Sequence, residues 1–426
     1  MNPRSFASIA LCALGSAATS VACNGNIDIA LGTEAPDANA DAAAPSVPPR
    51  NGDAGPFDSS ATGDGGHAYL GDDIGVGSTH SCSLRAGQVL CAGRNFYGQI
   101  GTGTPISPTN YTVPAPVLVP GAPVAKLFVG GIQTCAINGS GQLYCWGGPA
   151  VPAPRVPTIV TLPGSGAVSE VSLGEAHTCA VARGELFCWG KNERGQLADA
   201  SLAASPTPTK ITIAGASAIA HVSAGSDGTC AVDTSGALFC WGGVRRDAGG
   251  TVLSLAPATP TRVTLPGDEA VLAVSSGVAD TCALTVATRS VYCWRSSAAR
   301  SAPAEDVTAP ALVAMPAGVV VDDIARAAVH ACARSTAGEI YCWGRNVEGE
   351  LGLPVGDTAD RALVRPPTRI ALPAGESVTR MAASSSASHT CVLAASGNTY
   401  CWGYNFYGQL AVGKATPSEL VSKSQL

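Results

Sequence analysis

Charged and aromatic side chains are scarce in this sequence. Charged residues make up 13% of the 426 residues and aromatic residues 5%, whereas about 25% of the residues in an average soluble protein are charged. The net charge of −6 is mild, so it gives no electrostatic reason to expect a nucleic acid or an anionic membrane surface as a partner. Helical periodicity is also absent, which disfavours a helical fold.

Motifs of catalysis and cofactor binding are missing as well. The sequence has no G-x-S-x-G motif, no phosphate-binding glycine loop between a strand and a helix, and no acidic calcium loop. It therefore predicts no catalytic residue, no cofactor and no metal site. An enzyme whose active-site residues come together only in the folded chain stays an alternative.

Glycine, proline and cysteine, by contrast, are abundant, with 50, 30 and 16 residues. So many cysteines indicate metal binding in a cytosolic protein and disulfides in an exported one. The N-terminus favours export, because Arg4 precedes an uncharged and mostly apolar run that ends at Ala22. We interpret residues 1–22 as a signal peptide, since the run is short and too rich in Ala, Ser and Gly for a membrane anchor.

Cys23, the residue after the predicted cut, has two interpretations. Ser20-x-Ala22 fits ordinary signal peptidase, whereas a cysteine at this place resembles bacterial lipoprotein processing, in which Cys23 carries lipid. Ser20 stands where that processing usually has Leu. Lipidation is favoured by the cysteine count, because Cys12 leaves with the signal and fourteen others pair as described below.

Residues 23–66 differ in composition from the rest of the chain. The stretch is rich in Ala, Asp, Pro and Gly and has almost no large apolar side chains. Such a segment cannot bury enough apolar surface to offset the entropy lost on ordering. We expect a flexible linker that holds a domain away from a membrane.

Residues 67–424 consist of seven repeats, each with a pair of cysteines. The second cysteine is followed by Trp in six of the seven units and by Ala92 in the first. Most pairs flank a two- or three-residue loop that ends in Gly, which is typical of a β-hairpin. We predict the disulfides Cys82–Cys91, Cys135–Cys145, Cys179–Cys188, Cys230–Cys240, Cys282–Cys293, Cys332–Cys342 and Cys391–Cys401.

Zinc is the alternative for these cysteines. Zinc sites need cysteines two to four residues apart and four ligands together, whereas these pairs are spaced by nine to eleven residues, one pair per repeat. Disulfides are therefore favoured. Two further apolar stretches precede each hairpin, for example Ala115–Val119 and Val124–Val129, so each repeat has the four strands of one propeller blade.

The fuller repeats resemble a known family. They read Cys-Trp-Gly-x-Asn-x-x-Gly-Gln/Glu-Leu after the hairpin, as at Cys188–Leu197 and Cys401–Leu410. This motif resembles the regulator-of-chromosome-condensation repeat, and the resemblance covers residues 67–424. It implies an all-β, closed seven-bladed β-propeller. Nuclear members promote nucleotide exchange on the GTPase Ran, which a signal peptide makes unlikely here, and secreted bacterial relatives include a β-lactamase-inhibiting protein.

Recurring Trp and His residues have a structural interpretation. We expect the Trp residues to form core between blades. Histidines two residues before the first cysteine cannot share a metal from separate blades, so we expect them to bond a neighbouring strand or loop: His80, His177, His330 and His389.

The first and last units share a longer sequence match than the repeat pattern requires. Asn-Phe-Tyr-Gly-Gln occurs in the first unit and again in the last, which are neighbours in a closed ring. Exposed aromatic clusters often mark interaction sites, although packing within the loops is the competing interpretation. The candidate interaction patch is Phe96, Tyr97, Phe406 and Tyr407.

Ring closure gives a further expectation. Upstream of Ile74 and Val76 the first unit has no counterpart of Ala115–Val119, while the chain continues past the last hairpin through residues 416–422. We predict that Glu419–Ser422 pairs beside the strand of Ile74 and Val76, so that both ends of the chain build the first blade.

The sequence as a whole indicates a non-catalytic interaction module of the bacterial cell envelope. We expect a monomeric lipoprotein that binds an unknown protein or cell-surface ligand, with no nucleic acid and with membrane contact only through its lipid. The alternatives are a periplasmic or secreted protein, in particular an inhibitor of a hydrolase such as a β-lactamase.

Lipidation is testable directly. We expect protein from a native-like bacterial host to begin at Cys23 and to carry lipid there, and intact-mass analysis of the membrane fraction measures both. Release into the medium with an unmodified Cys23 would contradict the prediction.

Overall fold

Turn chemistry sets the basic unit of the fold, a disulfide-linked β-hairpin. In the first unit, Ala86 and Gly87 have φ angles of 46° and 81°, the left-handed conformation that a two-residue type I′ turn requires. This turn places Cys82 directly opposite Cys91. The seven predicted disulfides are present, with Cα atoms 4.1 or 4.2 Å apart.

The structure, a computed structural model, describes residues 72–104, 110–149, 153–164, 166–243, 258–278, 280–295, 309–355, 364–415 and 418–426. All of them lie within one unit, Asp64–Leu426. The predicted signal peptide, Cys23 and the linker over residues 23–66 lie outside the described residues. Among the described residues no helix is long and apolar enough to cross a membrane.

The described strands form seven antiparallel sheets of four strands, the blades of an all-β propeller. Blade 1 contains β1 (Asp73–Val76), β2 (His80–Arg85), β3 (Gln88–Gly93) and β4 (Tyr111–Val117). Blade 2 contains β5 (Val124–Gly130), β6 (Gln133–Asn138), β7 (Leu143–Gly147) and β8 (Thr158–Val160). Blade 3 contains β9 (Val168–Leu173), β10 (His177–Ala182), β11 (Glu185–Gly190) and β12 (Ser205–Ile211). Blade 4 contains β13 (Ile219–Ala224), β14 (Gly228–Asp233), β15 (Leu238–Gly242) and β16 (Thr261–Val263).

The remaining three blades follow the same order. Blade 5 contains β17 (Val271–Ser276), β18 (Asp280–Thr285), β19 (Val291–Arg295) and β20 (Ala311–Leu312), preceded by a short 3-10 turn at Pro266–Asp268. Blade 6 contains β21 (Val321–Arg326), β22 (His330–Ser335), β23 (Ile340–Gly344) and β24 (Arg365–Arg369). Blade 7 contains β25 (Val378–Ala382), β26 (His389–Ala394), β27 (Thr399–Gly403) and β28 (Ser418–Lys423). The first strand of every blade lines a central cavity of about 240 Å³.

The predicted grouping of strands into blades is wrong by one strand. The stretch Ala115–Val119 was expected to begin the second blade, but β4 pairs with β3, with Ala115 opposite Cys91. The free edge of a hairpin is the nearest partner for the strand that follows it, so the fourth strand of each blade comes after the hairpin rather than before it. Blade 1 is therefore complete without the other end of the chain.

The predicted closure of the first blade by residues 416–422 is wrong for the same reason. Strand β28 pairs with β27 in blade 7, where Ser422 lies opposite Cys401. Strand β1, with Ile74 and Val76, pairs with β2 only. Each blade is thus made from one continuous stretch of chain.

Apolar side chains fill the junctions between successive blades, as expected for the Trp residues. Trp146 of blade 2 is fully buried and packs with Ile100 and Val117 of blade 1. Small residues lie opposite the large aromatic ones, for example Ala180 opposite Phe187. The core is therefore divided among the blade junctions, and no blade can bury its faces alone.

The junction between blade 7 and blade 1, called the seam below, has no chain connection. Ala92 takes the Trp position here, and Leu426 and Leu410 pack in the same apolar cluster. Arg85 of blade 1 donates to the Thr399 hydroxyl at 2.7 Å and to the Leu426 carbonyl at 3.3 Å. The last residues of the sequence thus occupy the seam.

Leu426 gives a test of this packing. Its side chain is 7% exposed, and burying a leucine is worth about 1.5–3 kcal/mol. We expect Leu426→Asp to lower the thermal unfolding midpoint by several degrees. Gln425→Asp adds the same charge at the neighbouring exposed position and should leave the midpoint nearly unchanged; equal effects in differential scanning calorimetry would contradict the assignment.

Candidate interaction surface

The four repeat-position histidines connect one blade to the next. His80 Nε2 lies 2.8 Å from the hydroxyl of Thr134, and His177 Nε2 lies 2.9 Å from that of Thr229. His330 and His389 contact Thr390 and Ser81 in the same way. The expected structural role of these residues is confirmed, and among the described residues no three His, Cys, Asp or Glu side chains are placed to hold a metal.

These histidines are neutral in the folded protein. Burial lowers the pKa of His80 to about 3 and that of His177 to about 4, from an ordinary value of 6.5. The Thr134 hydroxyl donates its single proton to the Gln99 carbonyl at 3.0 Å. It must therefore accept from His80, which fixes the tautomer with a proton on Nε2.

Three of the Trp residues donate a hydrogen bond to a loop carbonyl of the preceding blade, a role that the sequence analysis did not predict. Trp146 Nε1 donates to the Gln99 carbonyl at 3.0 Å. The equivalent bonds run from Trp241 to Gln196 at 2.9 Å and from Trp402 to Glu350 at 2.9 Å. Each carbonyl belongs to the preceding blade, so the Trp is a hydrogen-bond donor between blades as well as core. The spacing between the Gly-Gln/Glu-Leu motif and the next Trp was the sequence feature that could have indicated this hydrogen bond.

The loop between the third and fourth strands of a blade is called the outer loop below. In the blades that carry the Asn-x-x-Gly-Gln/Glu motif, the same side-chain-to-backbone hydrogen bonds hold this loop. In blade 1 the Asn95 side-chain oxygen Oδ1 accepts the Ile100 N–H at 3.0 Å, and the Gln99 side-chain oxygen Oε1 accepts the Tyr97 N–H at 2.8 Å. The blade 7 loop repeats these bonds with Asn405 and Gln409. The motif thus fixes the backbone of the two residues between Asn and Gly.

Gly98 and Gly408 complete these loops. Their φ angles are 77° and 78°, a region that disfavours side chains. A Cβ on Gly408 would lie 2.7 Å from Thr112 Cα of blade 1. The blade 7 loop therefore lies directly against blade 1, and a larger residue would separate them.

The predicted patch residues lie together over the seam. This aromatic sector comprises Phe96 and Tyr97 of blade 1 and Phe406 and Tyr407 of blade 7. The rings of Phe96 and Tyr97 are 5.0 Å apart, edge to face. Phe96, Tyr97 and Phe406 are 42%, 38% and 51% exposed, whereas Tyr407 is half-buried.

Arg94 connects the two loops of the aromatic sector. Its guanidinium lies 5.2 Å from the centre of the Phe96 ring and 4.9 Å from that of Tyr407. Both distances are within the range of cation–π attraction, worth about 0.5–1 kcal/mol each at exposed sites. Sequence reasoning missed Arg94 because its position after the hairpin is basic in several repeats.

Tyr404 belongs to the same cluster and was also missed. Its ring lies 5.0 Å from Phe406 and 6.0 Å from Tyr407. Burial, and then the neighbouring Tyr407, raise the pKa of the Tyr404 hydroxyl above 10.0. Tyr404 therefore stays protonated at physiological pH and packs beside the exposed ring of Phe406 and the half-buried ring of Tyr407.

A register of charged side chains occurs on the first strands of the blades. The residue two positions before the one facing the first cysteine is charged in five of the blades: Asp73, Lys126, Glu170, Asp323 and Arg380. Glu170 Oε2 lies 3.4 Å from His221 Nδ1 of blade 4 and raises the pKa of that histidine. Burial raises the pKa of Asp73, and the charges of Arg380 and Lys126 on the flanking blades oppose that shift.

The arrangement defines a repeat propeller in which His–Thr and Trp–carbonyl hydrogen bonds join blade 1 to blade 2, blade 3 to blade 4 and blade 6 to blade 7. Models of the regulator of chromosome condensation (RCC1) repeat match residues 183–232 and 337–393, and a second model of that repeat matches residues 168–196 and 382–409. These matches identify RCC1 repeats over those residues of the chain.

Two protein relatives illustrate the range of the similarity. The ultraviolet-B receptor UVR8 of Arabidopsis thaliana is 27% identical over 358 residues, which are 80% of this chain and 79% of the relative. The E3 ubiquitin-protein ligase HERC2 of Homo sapiens is 28% identical over 271 residues, 60% of this chain but 6% of that protein.

Solved structures share the fold. Human WBSCR16 has a TM-score of 0.64 and 18% identity, covering 80% of this chain and 95% of its own. Yeast RCC1 (Prp20), in its complex with Kap60, has a TM-score of 0.60 and 18% identity, covering 73% of this chain and 78% of that one. At such identities the likeness concerns the propeller, not the surface.

The buried histidines predict a pH dependence. Because the folded pKa of His177 is about 4, the unfolded chain binds one more proton than the folded one between pH 6.5 and 4, so stability falls as the pH falls. The loss for one histidine is roughly 3 kcal/mol over this range, at about 1.36 kcal/mol per pH unit.

His177→Gln should therefore flatten the pH dependence of the unfolding free energy between pH 7 and 4.5, although the variant is less stable at pH 7. Gln133 occupies this repeat position in blade 2 and accepts from Thr178 at 2.7 Å, so glutamine is tolerated. His221→Gln is the control, since the pKa of that half-exposed histidine is raised. An unchanged slope for His177→Gln in urea titrations would refute the assignment.

Proposed function

We propose that this protein is a non-catalytic protein-binding module that engages its partner through the aromatic sector. The proposal rests on one observation: two exposed Phe-Tyr loops from different blades lie side by side over the seam. Large exposed aromatic side chains are enriched at protein interfaces and contribute much of the binding energy there.

Rigidity of the loops supports the proposal. The Asn and Gln side chains bond the loop backbone in both blades, and Arg94 contacts rings of both loops. A surface held in place before binding loses less entropy when a partner docks. Relatives are consistent with protein binding, since yeast RCC1 is seen bound to Kap60.

The disulfides and the N-terminal sequence support the proposed cellular location. Seven disulfides indicate an oxidising, extracellular environment. Combined with the signal peptide and linker read from the sequence, this supports display at the cell envelope, with Cys23 as the proposed lipid anchor. The linker over residues 23–66 would then give the propeller reach from the membrane surface.

A double variant tests the surface. We expect Phe96→Ala with Phe406→Ala to reduce partner recovery about tenfold or more, because truncating interface anchors costs about 1–4 kcal/mol. The measurement is quantitative mass spectrometry of cross-linked envelope and medium fractions. Recovery of one hydrolase as the wild-type partner would favour the alternative of a hydrolase inhibitor.

Glu193→Ala is the matched control, since Glu193 is exposed at the same outer-loop position in blade 3. It should leave partner recovery unchanged. If the double variant instead loses several degrees of thermal stability with its partner retained, the rings are packing residues and the proposed surface is wrong.

A further inference from the structure

Six blades carry a proline at one fixed position in or directly before the fourth strand, and blade 7 does not. The position precedes the residue that lies opposite the second cysteine of the blade, as Pro208 precedes Thr209 in blade 3. In blade 7 the residue opposite Cys401 is Ser422, and Val421 precedes it. The six prolines are Pro114, Pro157, Pro208, Pro260, Pro310 and Pro367.

The main-chain groups of β28 alternate between the two sides of the strand. The Cα atoms of Cys391 and Cys401 are 4.2 Å apart, the spacing of a pair whose N–H and C=O groups point away from each other. Those of Cys401 therefore point to β28 and meet Ser422. Two residues further on, the Ser424 N–H donates to the Thr399 carbonyl at 2.9 Å, as the alternation requires.

Val421 and Lys423 lie between these positions and face the other way. Their N–H and C=O groups point outward, and among the described residues β27 is the only strand that pairs with β28. Because proline has no N–H, each of the six other blades lacks the donor that Val421 supplies. The edge of blade 7 therefore has two successive outward N–H groups.

Packing does not explain the exchange of proline for valine. The Val421 side chain packs against the apolar cluster at the junction of blades 6 and 7, and the corresponding prolines are half-buried or buried as well. The irregular pairing that precedes this point also occurs in blades 1 and 3. Since proline is one of the residues that prevent pairing at a free sheet edge, what blade 7 gains is an edge open to another strand.

The free edge of β28 lies close to the aromatic sector. Ser418, at the start of β28, pairs with Gly403, and the outer loop reaches Phe406 three residues after Gly403. Three residues span at most about 11 Å, and a strand added to β28 would lie about 10 Å from β27. One extended segment can therefore pair with β28 and reach Phe406.

We propose that blade 7 accepts an extended segment of a partner protein as a fifth strand, paired with Val421 and Lys423. The segment has no proline at its paired residues and carries an apolar side chain that packs on Phe406. Main-chain hydrogen bonds supply affinity in complexes formed by strand addition. This inference rests on the proposed function and adds the conformation of the bound segment.

A second copy of this chain is the other source of a strand. Two β28 strands related by a twofold axis pair antiparallel, so the Ser418 end of one lies beside the Lys423 end of the other. The outer loops of the two copies then lie at opposite ends of the paired strands and leave both Phe406 rings uncovered. A partner segment can use the edge and the ring together, so it is the occupant that the observations favour.

The experiment is a selection of random dodecapeptides displayed on phage against the disulfide-intact protein, with the Val421→Pro variant as the negative selection. We expect this variant to keep its unfolding temperature within a few degrees, because six blades have proline at the same position. A labelled synthetic copy of an enriched peptide should bind it about tenfold more weakly than the wild type, since one hydrogen bond is lost and the ring obstructs the added strand. Val421→Ala keeps the N–H and should leave the affinity within about twofold.

Methylation of the peptide backbone gives a second test, which uses the wild-type protein and does not depend on the folding of a variant. Methylating one peptide nitrogen at a time removes one donor and leaves the side chains unchanged. We expect binding to be lost at every second residue, because alternate N–H groups of an added strand face β28. A segment bound through its side chains alone would show no such period of two.

The outcomes separate this inference from the proposed function. Peptides that need Phe96 and Phe406 but bind Val421→Pro normally, without the period of two, would overturn strand addition and leave the aromatic sector as a binding surface. A selection that yields no peptide able to distinguish wild type from Val421→Pro would overturn it too. A dimer in sedimentation velocity that Val421→Pro dissociates would assign the edge to a second copy instead. Peptides that depend on Val421 but bind Phe96→Ala/Phe406→Ala normally would contradict the proposed surface.

Discussion

Every blade of this propeller depends on its neighbours, because a single four-stranded sheet has two faces and covers neither. Only a few polar side chains join one blade to the next. A His of one blade, a Thr of the next, the loop carbonyl and the following Trp form one buried connection, as at His80, Thr134, Gln99 and Trp146. Its His Nε2, Thr hydroxyl, carbonyl and indole groups are all hydrogen-bonded, which is what makes buried polar groups tolerable, whereas His80 Nδ1 has no hydrogen-bond partner among the described residues. The disulfide closes each hairpin, and this connection joins the hairpins of blades 1 and 2 and, with His177, Thr229, Gln196 and Trp241, those of blades 3 and 4.

The seam between blade 7 and blade 1 must meet the same constraint without a chain connection. It keeps the histidine contact, from His389 to Ser81 at 2.8 Å, but Ala92 replaces the Trp. In place of the hydrogen bond that a Trp would donate, Arg85 donates to Thr399 and to the main-chain oxygen of Leu426. In place of the Trp ring, the Leu426 side chain packs in the apolar cluster of the seam. The seam is therefore held by non-covalent contacts alone. At each of the six other junctions the polypeptide chain also runs from one blade into the next.

The sequence was sufficient for the fold class, the blade count and the disulfides, because these are local. Hairpin register follows from turn length, and Ala86-Gly87 leaves only one partner for Cys82. Assignment of strands to blades failed because β4 and β5 are both short apolar strands on either side of a Pro-Gly turn, and nothing local says which neighbours they pair with. In the candidate surface, Phe96 and Phe406 were visible as repeats of one motif. Arg94 and Tyr404 were not, since their role depends on two loops about 300 residues apart meeting over the seam.

The position of the aromatic sector over the seam links binding to stability. A ligand that contacts both Phe96 of blade 1 and Phe406 of blade 7 can bind only while these blades stay together. By mass action, such a ligand stabilises the closed arrangement by RT ln(1 + [L]/Kd), about 2.7 kcal/mol at a hundredfold excess over Kd. The free protein already has part of this stabilisation from Arg94, which lies against Phe96 on its own blade and Tyr407 on the other. Arg94 thus occupies, in the unbound protein, the bridging place that a partner would reinforce, and the junction without a chain connection is also the one that a partner's binding energy would stabilise.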